Sequence, residues 1–220
     1  MTQAYDIRTV APFSPLILRA TAPQGVVTAL NDAVDAILAS DSEAAARDWS
    51  QNLAGNLKTE VRLTDLIRSM PEMCDFLYET ARAYAYRCEN ALLNYAHYDD
   101  TEDLKDRKLE IRINEGWAND MVAGDFNPVH FHQGCLFSCV LFLRLPDEYE
   151  AEFQADKARQ HTVGCLQFID GRTVVGGRNL FVVRPEVGAF YLWPAWMLHC
   201  VYPFRGAGVR RSVSVNLSLV

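Results

Sequence analysis

The chain has 220 residues, half of them hydrophobic, which is enough for one sizeable core. Its formal net charge of −7, from 28 acidic and 21 basic residues, argues against the dense basic patch by which proteins hold nucleic acid or anionic membrane. Apolar runs are short and broken by charge or proline, and Met1 is followed by the polar TQAYDIRT, so we expect a cytoplasmic protein with no signal segment or membrane span. From Thr28 to Leu38 apolar residues recur at three- and four-residue steps, and Asp41 or Ser42 is placed to cap a second, Ala-rich helix. Met73, Leu77, Ala81, Tyr84, Cys88, Ala91 and Tyr95 then fall on one face at helical spacing, the longest predicted helix, started or interrupted near Pro71. The polar HYDDTEDLKDRK that follows reads as a loop.

From Leu109 the period changes to two. LEIRINEGWA alternates apolar with polar; CLFSCVLFLRL, GCLQFID, NLFVVR, GAFYLW and VRRSVSVNLSL follow as strands, parted by turns with Gly or Pro. The charged DEYEAEFQADKARQ is an exposed loop or a helical excursion. We expect one domain over 1–220, with a mostly helical part (1–108) backing a β core (109–220) built as a sandwich, jelly roll or barrel. Six cysteines without a CxxC pair, mostly in apolar stretches, read as reduced core residues.

In NPVHFHQGC, His130 and His132 stand two apart, which in extended chain puts both imidazoles on one side. His199, in WPAWMLHCVYP, offers a third nitrogen among aromatic residues. Three imidazoles suit iron, copper, nickel or zinc and leave positions open for reactants. Each histidine taken singly has a plainer account as a hydrogen-bonded strand-end residue; their combination in the β half points to metal. A zinc site through Cys135 and Cys139 is disfavoured because strand alternation sends them away from His130 and His132, and Cys200 away from His199. His97 and His161 lie in polar segments and read as exposed.

The order NPVHFH, SCVLFL, GCLQFIDGR, PEVGAFYLWPAWMLHCVYP and RRSVSVN resembles the 2-oxoglutarate/Fe(II)-dependent oxygenase superfamily, and is most similar to a branch of bacterial and phage oxygenases with an HxH…H order; LAGNLKTE at 53–60 resembles that branch's N-terminal region. The resemblance implies a double-stranded β-helix, or jelly roll. It makes His130, His132 and His199 the Fe(II) ligands, with His132 standing where the superfamily usually has a carboxylate. It also implies a dioxygenase that consumes O2 and 2-oxoglutarate, with the basic residue about eleven positions after His199 anchoring the oxoacid. Cys139 and Leu141 stand where relatives often carry Gly and Tyr, implying an altered cosubstrate pocket.

Two arginines compete for the anchor. Arg210, Ser212, Ser214, Asn216 and Ser218 share the polar face of the last strand, whereas Arg211 emerges among Val209, Val213, Val215, Leu217 and Leu219, its head expected to reach solvent. Arg210 with Ser212 is therefore the expected cosubstrate pair. Ser138 and Gln167 are candidates to face the pocket, one of Trp193 and Trp196 to wall it, and Asn127 to sit in the turn before His130. The sequence leaves a small metabolite, a peptide or a nucleotide open as substrate, with a long nucleic acid the least expected, and a homodimer is compatible. Two rivals remain: a three-histidine dioxygenase that needs no oxoacid, and a jelly-roll binding module without metal.

Overall fold

The computed structural model describes residues 6–10, 16–52, 55, 57, 59–93, 110–156, 161–172 and 179–219. Its elements, in chain order, are β1 (Ile7–Val10), β2 (Ile17–Thr21), α1 (Gln24–Leu38), α2 (Asp41–Ala46), a 3-10 turn (Ser50–Asn52), β3 (Glu60–Arg62), α3 (Thr64–Arg68) and α4 (Pro71–Leu93). There follow β4 (Ile111–Met121), β5 (Asn127–His130), β6 (Phe137–Arg144), α5 (Tyr149–Ala155), β7 (Leu166–Ile169), β8 (Leu180–Val183), β9 (Ala189–Pro194), β10 (Leu198–Val201) and β11 (Arg210–Leu219). A seven-stranded sheet, β1-β2-β9-β6-β11-β4-β3, faces a four-stranded sheet, β5-β10-β7-β8, and all strand pairings among the described residues are antiparallel. This is the double-stranded β-helix expected, backed by N-terminal helices.

Strand alternation sorts the large sheet into two apolar faces. Cys139, Leu141 and Leu143 of β6, Val213, Val215 and Leu217 of β11, and Phe190 and Leu192 of β9 pack against Val26, Val27, Leu30 and Val34 of α1 and Met73, Phe76, Leu77, Ala81 and Tyr84 of α4. The intervening Val140, Phe142, Tyr191 and Trp193 point the other way, onto Leu166, Phe168, Val183 and Met197. Phe190 meets Phe76 edge-on at 4.9 Å; truncating either to Ala would cost about 3–5 kcal/mol. Pro71 occupies the first turn of α4, where its missing N–H is harmless. Ser40 caps α2, ahead of both expected positions, Asp41 and Ser42, its Oγ accepting from the Glu43 amide at 3.4 Å.

The first half holds more strand than its helical periodicity suggests, since β1, β2 and β3 all join the large sheet. They are four, five and three residues long, too short to display a period. The DEYEAEF stretch is helical from Tyr149 onward as α5, and Tyr149 itself is buried. The predicted HYDDTEDLKDRK loop lies outside the described residues. Among the described residues no helix is long and apolar enough to cross a membrane.

Candidate metal centre and active site

β5 and β10 are neighbours, and their register sets His130 opposite His199. Pro128, which has no N–H, is tolerated because β5 is an edge strand. His132 lies just beyond the strand, where its own N–H donates to the Ala195 carbonyl at 2.9 Å, so the chain stays tethered and His132 turns to the same side as His130. The result is one cluster: donor atoms of His130, His132 and His199 all lie within 4.8 Å of one another, and the Nε2 atoms of His132 and His199 are 3.3 Å apart. A metal with ~2.1 Å bonds holds its nitrogens roughly 3–3.5 Å apart, so small side-chain shifts complete the site.

The tautomers follow from the backbone. Nδ1–H of His130 donates to the Pro128 carbonyl at 2.7 Å, and Nδ1–H of His199 to the Met197 carbonyl at 2.8 Å, which leaves both Nε2 lone pairs facing inward. Burial holds all three rings neutral: it lowers His130, brings His132 down to about 4 with help from His130, and holds His199 well below the usual histidine range. Trp193 stands edge-on to His199 at 5.0 Å, and Trp117 lies 5.8 Å from His132. Neutral, pre-oriented imidazoles with an adjoining cavity are a donor set that fits Fe(II).

That cavity, of about 450 Å³, is walled by Arg210, Ser212, Ser214 and Asn216 from β11, together with Ser138, Val140 and Phe142 from β6. Arg210 is 1% exposed; its Nε donates to the Gly164 carbonyl at 2.9 Å, and its guanidinium carbon lies 5.0 Å over the Phe142 ring. Burial lowers its pKa to about 10, which still leaves it charged at neutral pH. No carboxylate pairs with it among the described residues. Arg211 faces the helices, as alternation predicts, but its head does not reach solvent. At 2% exposure it grips Asp120 with bonds of 2.5 and 2.6 Å and reaches Asp35 of α1 at 2.7 Å. Burying a cation on that face requires carboxylate partners, and two are supplied.

Other expectations divide. Ser138 and Trp193 line the cavity, whereas Trp196 is 61% exposed. Gln167 accepts from the Tyr202 hydroxyl at 3.1 Å away from the cavity lining. Asn127 opens β5 and also lines the cavity. Leu141 lies in the helix-side core, so the β6 ring that shapes the pocket is Phe142 instead. Cys135 Sγ lies 4.0 Å from Ser138 Oγ, and the metal-competent cluster contains no cysteine. His161 is exposed, and His97 lies outside the described residues. Sequence reasoning missed Glu60, Trp117, Asn119 and Met121, all cavity-lining; alternation along β4 groups the last three on one face and was the available signal.

Residues 115–216 match a family model described as "Putative 2OG-Fe(II) oxygenase". No curated protein matches the sequence. Among solved structures the chain is similar to the non-heme alpha-ketoglutarate-dependent carbocyclase SnoK from nogalamycin biosynthesis, with 13% identity, 91% of this chain and 78% of that chain covered, and a TM-score of 0.53. It is also similar to an oxidoreductase of the 2OG-Fe(II) oxygenase family from Burkholderia pseudomallei (18%, 68% and 59%, TM-score 0.40) and to a Pseudomonas putida prolyl-4-hydroxylase (16%, 92% and 92%, TM-score 0.44). The chain thus spans 59% of the length of the Burkholderia protein. At such identities the likeness to SnoK speaks for the fold alone. Over residues 115–216, then, the chain is similar to the 2OG-Fe(II) oxygenases that this family model describes.

Proposed function

We propose that the protein is an oxygenase that couples oxidation of a C–H bond in an organic substrate, by hydroxylation, to decarboxylation of 2-oxoglutarate to succinate. His130, His132 and His199 hold Fe(II), and Arg210 with Ser212 anchors the distal carboxylate of the oxoacid. One observation carries the proposal: three neutral imidazoles and a buried guanidinium without a carboxylate partner adjoin one cavity. Fe(II) with bound 2-oxoglutarate supplies the activation of O2 and the electrons for it.

The chain's own part is binding and orientation. Gly164 occupies the Arg210 Nε and Met121 Sδ accepts from Nη1 at 3.3 Å, which leaves Nη2 and the second Nη1 hydrogen for a carboxylate, and the Phe142 face holds the fork flat. Ser212 stands two residues along the same face and adds a hydroxyl donor. The carbonyls of Pro128 and Met197 fix two imidazoles in their ligating tautomer before metal arrives. Trp193, Val140 and Phe142 present apolar surface to the cavity and limit water there.

A third histidine in place of a carboxylate also suits a dioxygenase that needs no oxoacid. Anaerobic titration of the Fe(II)-loaded protein with 2-oxoglutarate separates the two. The oxygenase proposed here develops a weak, saturable visible charge-transfer band. Metal binding with no oxoacid binding overturns it in favour of the oxoacid-independent enzyme, and absence of metal binding leaves a binding module.

A further inference from the structure

The cavity extends beyond the cosubstrate wall to a carboxylate that nothing so far has used. Glu60 on β3 is paired in register with Asn119 on β4, and Asn119 with Ser212 on β11, so the three side chains stand in a row across one sheet face. Glu60 is 2% exposed, lines the cavity, and neither of its carboxylate oxygens has a hydrogen-bond partner. Asn119 donates from Nδ2 to Ser214 Oγ at 3.2 Å, and its Oδ1 is likewise buried without a donor. Three acceptor atoms thus share one wall and lack anything to accept from. Leaving buried acceptors unmatched costs free energy that a purely structural role would not repay.

Charge sharpens the inference. Burial pushes the Glu60 carboxyl up to about 7, and the negative charge of Asp48 and Asp125 adds to the effect. The cavity is lined by a guanidinium, Arg210 of β11, and by the Glu60 carboxyl of β3, with β4 between the two strands. An oxoacid dianion is drawn to the first and repelled by the second. Trp117 and Trp49 line the Glu60 region, and Trp117 lies 5.8 Å from the His132 ring, which joins the acceptor wall to the metal centre. Indole faces favour cations, as the Arg62 guanidinium 5.1 Å over the Trp49 ring shows, and Trp117 offers a second indole.

We infer that Glu60, assisted by Asn119 Oδ1, binds a cationic nitrogen group, ammonium or guanidinium, on the primary substrate. That the ligand is the primary substrate rests on the oxygenase function proposed above; the cation site itself does not.

The test uses matched probes on the metal-loaded protein without 2-oxoglutarate: n-butylguanidine against neutral n-butylurea, and n-pentylamine against 1-pentanol, with affinities from ligand-observed NMR. Each cation should bind wild type at least about tenfold more tightly than its neutral counterpart. The preference should vanish in Glu60→Gln, persist in Glu60→Asp and rise in Asn119→Asp, which would keep the test decisive if the Gln variant did not fold. Equal affinity for charged and neutral probes, no binding of either cation at millimolar concentration, or a preference that survives Glu60→Gln overturns the inference. Because no oxoacid is present, failure of the 2-oxoglutarate titration and failure here are separate results.

Discussion

Arg210 and Arg211 are consecutive on β11 and equally buried, yet one faces the cavity with no carboxylate partner among the described residues while the other is clamped between Asp120 and Asp35. The same substitution should therefore have opposite effects at the two positions. Arg210→Ala should weaken 2-oxoglutarate binding by about 2–4 kcal/mol, on the order of a hundredfold, with metal affinity nearly unchanged. Arg211→Ala strands a buried carboxylate and should cost about 3–5 kcal/mol of stability, with little effect on the oxoacid. Calorimetric oxoacid titration and urea unfolding of both variants provide the check; a crippled oxoacid site in Arg211→Ala alone would reverse the assignment.

Replacing His130, His132 or His199 by Ala should reduce Fe(II) stoichiometry sharply in each case, because all three donors belong to one cluster. Cys135→Ser should retain full metal, since that thiol stands beside Ser138 outside the cluster. Metal analysis after desalting reads both outcomes, and metal lost from the Cys135 variant would revive a cysteine-containing site.

Gly164 holds the Arg210 Nε through its carbonyl and has a φ of +60°. A Cβ there would lie 3.1 Å from the Tyr149 ring and 3.6 Å from Arg210 Cδ. Gly164→Ala should cost about 1–2 kcal/mol in backbone strain and weaken oxoacid binding several-fold while sparing the metal. Unchanged oxoacid affinity would show that Arg210 does not depend on this support.

Glu60 gives a pH signature. Its carboxyl rises from 4.5 to about 7 on folding, so the native state holds its proton more tightly than the unfolded chain. Its contribution to stability is then full below about pH 4.5, declines as pH rises through 7, and levels off above, a loss on the order of 3 kcal/mol. Glu60→Gln should lack this decline, so wild type should lose stability relative to the variant between pH 5 and pH 8. Parallel urea midpoints across that range would mean the native carboxyl is already ionised at pH 5.

The site's core was legible because its parts are local and periodic. β11 alternates over ten residues, so Arg210, Ser212, Ser214 and Asn216 could be grouped without knowing what they face. His130 and His132 share a side through simple extension, and the motif order supplied His199. What stayed hidden depends on distant pairing. The clamp on Arg211 reaches Asp35 across 176 positions of sequence, and only the docking of α1 brings it there. Glu60 sits in a three-residue strand with no period to read, and its place beside Asn119 exists only once β3 meets β4.

The proposed metal ligands and the proposed oxoacid wall belong to different sheets, and this should give them different dynamics. β11 lies inside the seven-stranded sheet with ladders on both sides, whereas β5, which carries His130, has a neighbour on one side only among the described residues and passes His132 to a turn. Amide hydrogens of β11 should be among the slowest to exchange with deuterium, and those of β5 much faster in the apo protein. A metal joining His130 and His132 to His199 acts as a cross-link between the edge strand and β10. Fe(II) should therefore slow exchange along β5 and the residues up to His132 far more than along β11, making the cosubstrate wall a permanent surface and the metal half one that firms when the ion arrives.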